Sequence, residues 1–140
     1  DQKRIVLNRF HVAKMNKPGS KHSALRRWFN EDFIKKNKDI YNKIYTCLEN
    51  NDPKKFLKSY QLFVNFEDDD EILKKITTKT LITTGENDVG STPEMSENLN
   101  KKIQESKMRI IKNGKHLCNI ECVEDFNISI KEFIDNNNYA

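Results

Sequence analysis

Lys79-Thr80-Leu81-Ile82-Thr83-Thr84-Gly85-Glu86-Asn87-Asp88 is the stretch on which the reading of this sequence turns. Four of its first six residues are β-branched, the run is short, and Gly85 stops it, so it predicts a strand over 79–84. A second run, Lys107-Met108-Arg109-Ile110-Ile111-Lys112, is halted by Asn113-Gly114 and predicts a strand over 107–112. Between them, Thr92-Pro93-Glu94 opens a helix: a threonine hydroxyl can accept from an orphan N–H, and proline at the first helical position gives up nothing. Met95, Leu99 and Ile103 then fall at i, i+4 and i+8 on one face. A last helix is predicted over 123–134 by Phe126, Ile130, Phe133 and Ile134, with Asn136-Asn137-Asn138 after it as a fraying tail. Strand, helix, strand, helix implies two parallel strands joined by a right-handed crossover, because a hairpin connection would be far shorter.

Before residue 77 the pattern is helical throughout. Ile5, Val6, Phe10, Val12, Ala13 and Met15 make a modest helical stripe over 3–15, broken by the turn chemistry of Lys17-Pro18-Gly19-Ser20. Short helices are predicted at Ala24–Phe29, Asp32–Lys36 and Asp39–Leu48. Asp52-Pro53 opens another whose apolar face is Phe56, Leu57, Tyr60, Phe63 and Val64. Asp68-Asp69-Asp70-Glu71 then places negative charge at the positive end of a short helix ending near Lys74-Lys75. The expected organisation is a linking helix and turn over 1–19, a helical region over 20–76, and a strand-and-helix region over 77–140.

Composition narrows the class of protein. The chain has 140 residues, enough for one ordinary domain, and its 36% hydrophobic content sits above the range of disordered chains. Its 25 Lys and Arg against 21 Asp and Glu are interleaved and form no basic stripe, which argues against a nucleic-acid partner. No apolar run nears the roughly 20 residues that span a bilayer, and no signal-peptide core follows Asp1-Gln2-Lys3-Arg4, so neither a membrane nor secretion is expected. Cys47, Cys118 and Cys122 are odd in number and irregular in spacing, which suits reduced thiols and a cytoplasmic setting. The abrupt start reads as a cut through a longer protein.

A parallel sheet is normally buried on both faces. Two strands with two helices leave open edges and uncovered apolar surface, and the helical residues 1–76 offer no strands to pair with them. The expected architecture is therefore an α/β sheet that is incomplete by itself.

In open parallel sheets reactive groups gather beyond the carboxyl ends of the strands. Gly85-Glu86-Asn87-Asp88 leaves the first strand there, and Asn113-Gly114-Lys115-His116 leaves the second, so Asp88 and His116 can meet. A buried carboxylate on one imidazole nitrogen fixes the tautomer and stabilises the imidazolium formed when the other nitrogen takes a proton from a nucleophile. Taken singly, an Asp after a Gly is usually a turn residue, and a loop His is usually solvated. The ordered pair carries more weight than either alone.

Thr80 to Met95, with Gly114-Lys115-His116-Leu117-Cys118-Asn119-Ile120-Glu121 and Phe126, resembles the last two strand-and-loop units of the α/β-hydrolase family. Gly85-Glu86-x-Asp88 looks like its catalytic-acid loop, and Gly114-x-His116 followed by Asn119-x-Glu121 and Phe126 looks like its histidine loop and last helix. Ala24-Leu25-Arg26-Arg27-Trp28-Phe29 and the helices after it are similar to the cap of the 3-oxoadipate enol-lactonase-like branch. The resemblance implies the C-terminal part of an α/β-hydrolase fold, with residues 20–76 as the cap, Asp88 and His116 as catalytic acid and base, and Trp28 on the substrate side. It also implies a small ester or lactone as substrate and no cofactor. The family's nucleophile sits on a Gly-x-Ser-x-Gly elbow ahead of the acid, and no such elbow is present. Ser20 and Ser23 fall in the early helical stretch, and Ser91 follows the acid. The nucleophile is thus expected in a missing N-terminal part of the same fold, and the fragment is expected to be inactive alone. An Asp nucleophile in that part stays open.

His116, Cys118 and Cys122 lie close in sequence but lack a paired Cys-x-x-Cys spacing and a fourth ligand, so no metal is expected. Cys118 as a nucleophile is less expected than Cys118 as a small packing residue. His11 and His22 have no spacing partner and read as surface or packing residues. Trp28, Phe29, Phe33, Tyr41 and Tyr45 at helical intervals suit the core of a cap better than a ligand cage. The competing reading is a non-catalytic helical interaction module or truncated gene product.

Overall fold

The computed structural model describes residues 2–15, 19–66 and 69–137. The helices preceding the sheet are α1 (Gln2–Lys14), α2 (Ser20–Trp28), α3 (Glu31–Lys36), α4 (Lys38–Glu49), α5 (Pro53–Asn65) and α6 (Asp70–Leu73). Then come β1 (Thr80–Gly85), α7 (Pro93–Lys102), β2 (Ser106–Ile111), α8 (Cys118–Glu121) and α9 (Val123–Asp135). Residues 16–18, 67–68 and 138, on which parts of the expected turn, acidic run and tail fall, lie outside the described residues.

The chain divides into two compact units, Asp1–Leu25 with Lys36–Asp68, and Arg26–Lys35 with Asp69–Ala140, so that α2 is shared between them after Leu25. In the first unit α1 packs on α5, with Phe10 stacked on Tyr60 at 5.8 Å between ring centroids and Tyr60 meeting Phe63 edge-on. Asp52 caps α5 by accepting from the Lys54 and Lys55 amides, and Pro53 takes the first helical position. Leu25 and Val64 are its buried apolar residues.

In the second unit β1 and β2 pair in parallel, in the register Thr80↔Ser106 to Gly85↔Ile111. Both strands sit within one residue of their expected spans. Thr92 caps α7 through the Met95 amide, and α7 packs against both strands while α9 reaches β2. Ile82, Ile103 and Ile111 are buried between these elements. Among the described residues the sheet has two strands and therefore two unpaired edges. Val89, Met95, Val123, Ile128, Ile130 and Ile134 stay exposed around it. This is the uncovered apolar surface expected of a sheet that lacks its other strands.

The expected fraying of the tail is not found at Asn136 and Asn137. The Asn136 amide donates to the Glu132 carbonyl, and the Asn137 side chain donates to the Phe133 carbonyl at 2.5 Å, so both close the end of α9.

Candidate active site

The register of the sheet brings the two strand ends together, and the chains leaving them run against each other. The Glu86 amide donates to the Ile111 carbonyl at 2.9 Å, the Asn87 amide to the Gly114 carbonyl at 2.8 Å, and the Asn113 amide to the Glu86 carboxylate at 2.8 Å. A Cβ on Gly85 would lie 2.3 Å from the Lys115 carbonyl oxygen and 2.4 Å from that of Gly114, so the approach requires glycine. Asn113 makes the turn at φ 59°, a left-handed conformation that asparagine tolerates better than most residues.

This stitching delivers Asp88 to His116. The Asp88 Oδ2 lies 2.8 Å from the His116 Nδ1, while Oδ1 accepts from the Gly90 and Ser91 amides at 2.7 and 3.1 Å. The Asp88 side chain is 4% exposed and that of His116 41%. The asymmetry matters chemically. A carboxylate that accepts at this distance places a hydrogen on Nδ1 and leaves Nε2 at the far edge of the ring. Two backbone donors and one imidazole donor offset the cost of keeping the carboxylate from water.

Thr83, Asp88, Ser91, His116, Cys118 and Phe126 are among the residues lining a shallow depression of about 220 Å³ here. Ligand pockets ordinarily hold about 300–1,000 Å³, and this depression falls below that range.

Trp28 does not line this depression, but its ring lies near His116. Its ring centroid is 6.1 Å from that of His116, the planes inclined by 31°, and its carbonyl accepts from the Leu117 amide at 3.1 Å. Residues not foreseen from the sequence hold it there. Lys115 donates through Nζ to the carbonyls of Arg26 and Phe29 at 3.0 and 3.3 Å, near the negative end of α2. The Glu121 carboxylate accepts from the Asn30 amide at 2.6 Å with one oxygen and from the Lys115 amide at 2.9 Å with the other. The Asn30 side chain donates to the Asn113 carbonyl at 2.7 Å. Apart from the Lys115–Glu121 bond, these links join residues about 80–90 positions apart in sequence, a separation that no local pattern reports.

The remaining candidates take other places. Cys118 sits in the helical turn α8, where the sequence suggested only loop, and its thiol is pushed up chiefly by burial. It stays protonated at neutral pH, which suits packing and not attack. Burial likewise raises Cys122, helped by the Glu121 charge. The Ser91 amide is committed to Asp88 and its carbonyl to the Thr84 hydroxyl, while Ser20 and Ser23 lie in α2. His22 does have partners: the Tyr41 hydroxyl lies 2.6 Å from Nδ1, and Tyr45 stacks on the ring at 4.5 Å. Helix α4 supplies both, four residues apart, a pairing between helices that spacing around His22 could not announce. Phe29 and Phe33 stack at 5.0 Å in the sheet-bearing unit, whereas Tyr41 and Tyr45 belong to the helical one. Among the described residues no three or more His, Cys, Asp or Glu side chains are grouped to hold a metal, and no helix is long and apolar enough to cross a membrane.

No protein-family model matches the sequence, and no curated protein matches it. Solved structures do. An enol-lactonase from Burkholderia xenovorans is 18% identical with a TM-score of 0.80, the match covering 94% of this chain and 50% of that one. An esterase from Exiguobacterium antarcticum is 18% identical with a TM-score of 0.81, covering 95% and 48%. An α/β-hydrolase enzyme from a Medee basin deep-sea metagenome library is 21% identical with a TM-score of 0.73, covering 96% and 50%. The chain carries part of an α/β-hydrolase fold. It spans about half the length of each of these structures.

Proposed function

We propose that this chain supplies the acid, Asp88, and the base, His116, of a serine hydrolase acting on a carboxylic ester or lactone. The nucleophile would come from the other half of the fold. One observation carries the reading: a buried, fully bonded carboxylate holds Nδ1 of an imidazole whose other edge is accessible. In the reaction a serine hydroxyl attacks the acyl carbon as His116 Nε2 takes its proton. That proton then passes to the departing alkoxide oxygen, giving an acyl-enzyme. A water deprotonated by the same nitrogen adds to the acyl carbon, and the serine leaves with the proton returned, releasing the acid. Asp88 stays ionised throughout and stabilises the imidazolium. No cofactor enters this scheme.

Within this class an enol-lactone is the substrate we favour, since the region over 20–76 is similar to the cap of that branch and one of the solved structures of like fold is an enol-lactonase. Residues 20–76 would then cover the nucleophile, with Trp28 on the substrate side of His116. We place the protein in the cytoplasm, where the free thiols of Cys47, Cys118 and Cys122 remain reduced.

The test is kinetic and uses a longer chain that joins these residues to a nucleophile-bearing half. Hydrolysis of p-nitrophenyl acetate is expected, with Asp88→Asn lowering kcat by about 10⁴-fold through loss of the tautomer and the imidazolium's counter-charge. An Asp88→Asn variant that retains its kcat would end the proposal.

A further inference from the structure

We infer that Glu121 is a positioning residue, whose carboxylate clamps the segment carrying Trp28 to the segment carrying His116 and so sets the indole beside the imidazole. The inference rests on the reading of His116 as the base. The two amides that Glu121 accepts from are placed for this: Asn30 lies two residues after Trp28, and Lys115 lies one residue before His116. Each oxygen takes one amide, so the group needs two acceptors and no donor. Only an ionised carboxylate of this length meets that need. The Leu117 amide on the Trp28 carbonyl, the Asn30 side chain on the Asn113 carbonyl and the Lys115 Nζ on the Arg26 and Phe29 carbonyls complete the junction, but none of these fixes both segments by two backbone amides as Glu121 does. Gln at position 121 keeps one acceptor and turns an NH₂ donor towards the other amide. Asp keeps both acceptors but is too short to span them. Either change loosens the Trp28 segment against the histidine loop without touching Asp88.

The geometry offers its own readout, because Trp28 is the sole tryptophan and its ring lies 6.1 Å from His116. Protonation of an imidazole at that distance places a cation beside the indole and changes its emission. The experiment follows tryptophan fluorescence of the chain against pH, with circular dichroism as a measure of fold. The unmodified chain is expected to show an emission step that His116→Gln abolishes. Glu121→Gln and Glu121→Asp are expected to lose that step while keeping their helix content, and Glu124→Gln, an exposed control on α9, is expected to keep it. A step that survives in both Glu121 variants overturns the inference. So does a step in the unmodified chain that is indifferent to His116→Gln, or a loss of helix content alongside the step, which would make Glu121 a residue of general stability. Failure of the hydrolase reading has a different signature: a longer, nucleophile-bearing chain without esterase activity, in which the Glu121 effect on fluorescence persists.

Discussion

At Gly85 a single added methyl group would lie 2.3 Å from one carbonyl oxygen and 2.4 Å from another, both belonging to the histidine loop. Backbone at that distance cannot swing aside as a side chain can. Gly85→Ala is therefore expected to push the acid and histidine loops apart, at a cost of about 1–3 kcal/mol or somewhat more. Urea denaturation of the variant checks the magnitude, and loss of the His116-dependent fluorescence step checks the displacement. At this scale the sequence was informative about identity and poor about partners. Asp88 and His116 were legible because their loops leave adjacent parallel strands at the same end. Gly85 read as a strand stop and the start of the acid-loop motif, but not as a close approach, since the backbone that demands glycine comes from residues about thirty positions away. Glu121 and Lys115 lay within the recognisable histidine loop, but the bonds that give them meaning run to Asn30, Arg26 and Phe29. His22 read as a surface or packing residue, and it does pack, but its tyrosine partners on α4 were not legible for the same reason.

The helices and strands were more readable, because their causes are local. Asp52-Pro53 and Thr92-Pro93 each combine a capping side chain with a proline at the first helical position, and α5 and α7 start there. The Asp52 side chain accepts from the Lys54 amide at 2.8 Å and the Lys55 amide at 3.1 Å, both exposed. Asp52→Ala is expected to lower stability by about 1 kcal/mol, Asp52→Asn by less, since the amide oxygen still accepts. Thermal unfolding followed by circular dichroism resolves the difference. Helix α8 escaped the sequence reading because four residues are too few to show a period. Its existence depends on packing: Cys118 is buried, and a Cβ on Gly114 would meet the Cys118 Cβ at 2.7 Å. The strands were legible for the opposite reason, as β-branched runs bounded by glycine that need no distant information to be recognised.

For the whole molecule, the two-stranded sheet, its unpaired edges and the exposed apolar residues around it describe half of a fold, and the solved structures of like fold are about twice as long as this chain. Asp88 and His116 are complete in their bonding to each other, yet the depression beside them holds about 220 Å³ and is open to solvent. On the proposed reading these are the proton-transfer parts of a hydrolase, and the group they would activate lies in the other half of the fold. The most direct measurement is hydrolysis of p-nitrophenyl acetate by the chain alone and by a longer chain that adds a nucleophile-bearing half, each with and without His116→Ala. The expected result is no turnover by the chain alone and turnover by the longer chain that His116→Ala abolishes. Turnover by the chain alone that depends on His116, or turnover by the longer chain that does not, would contradict the account.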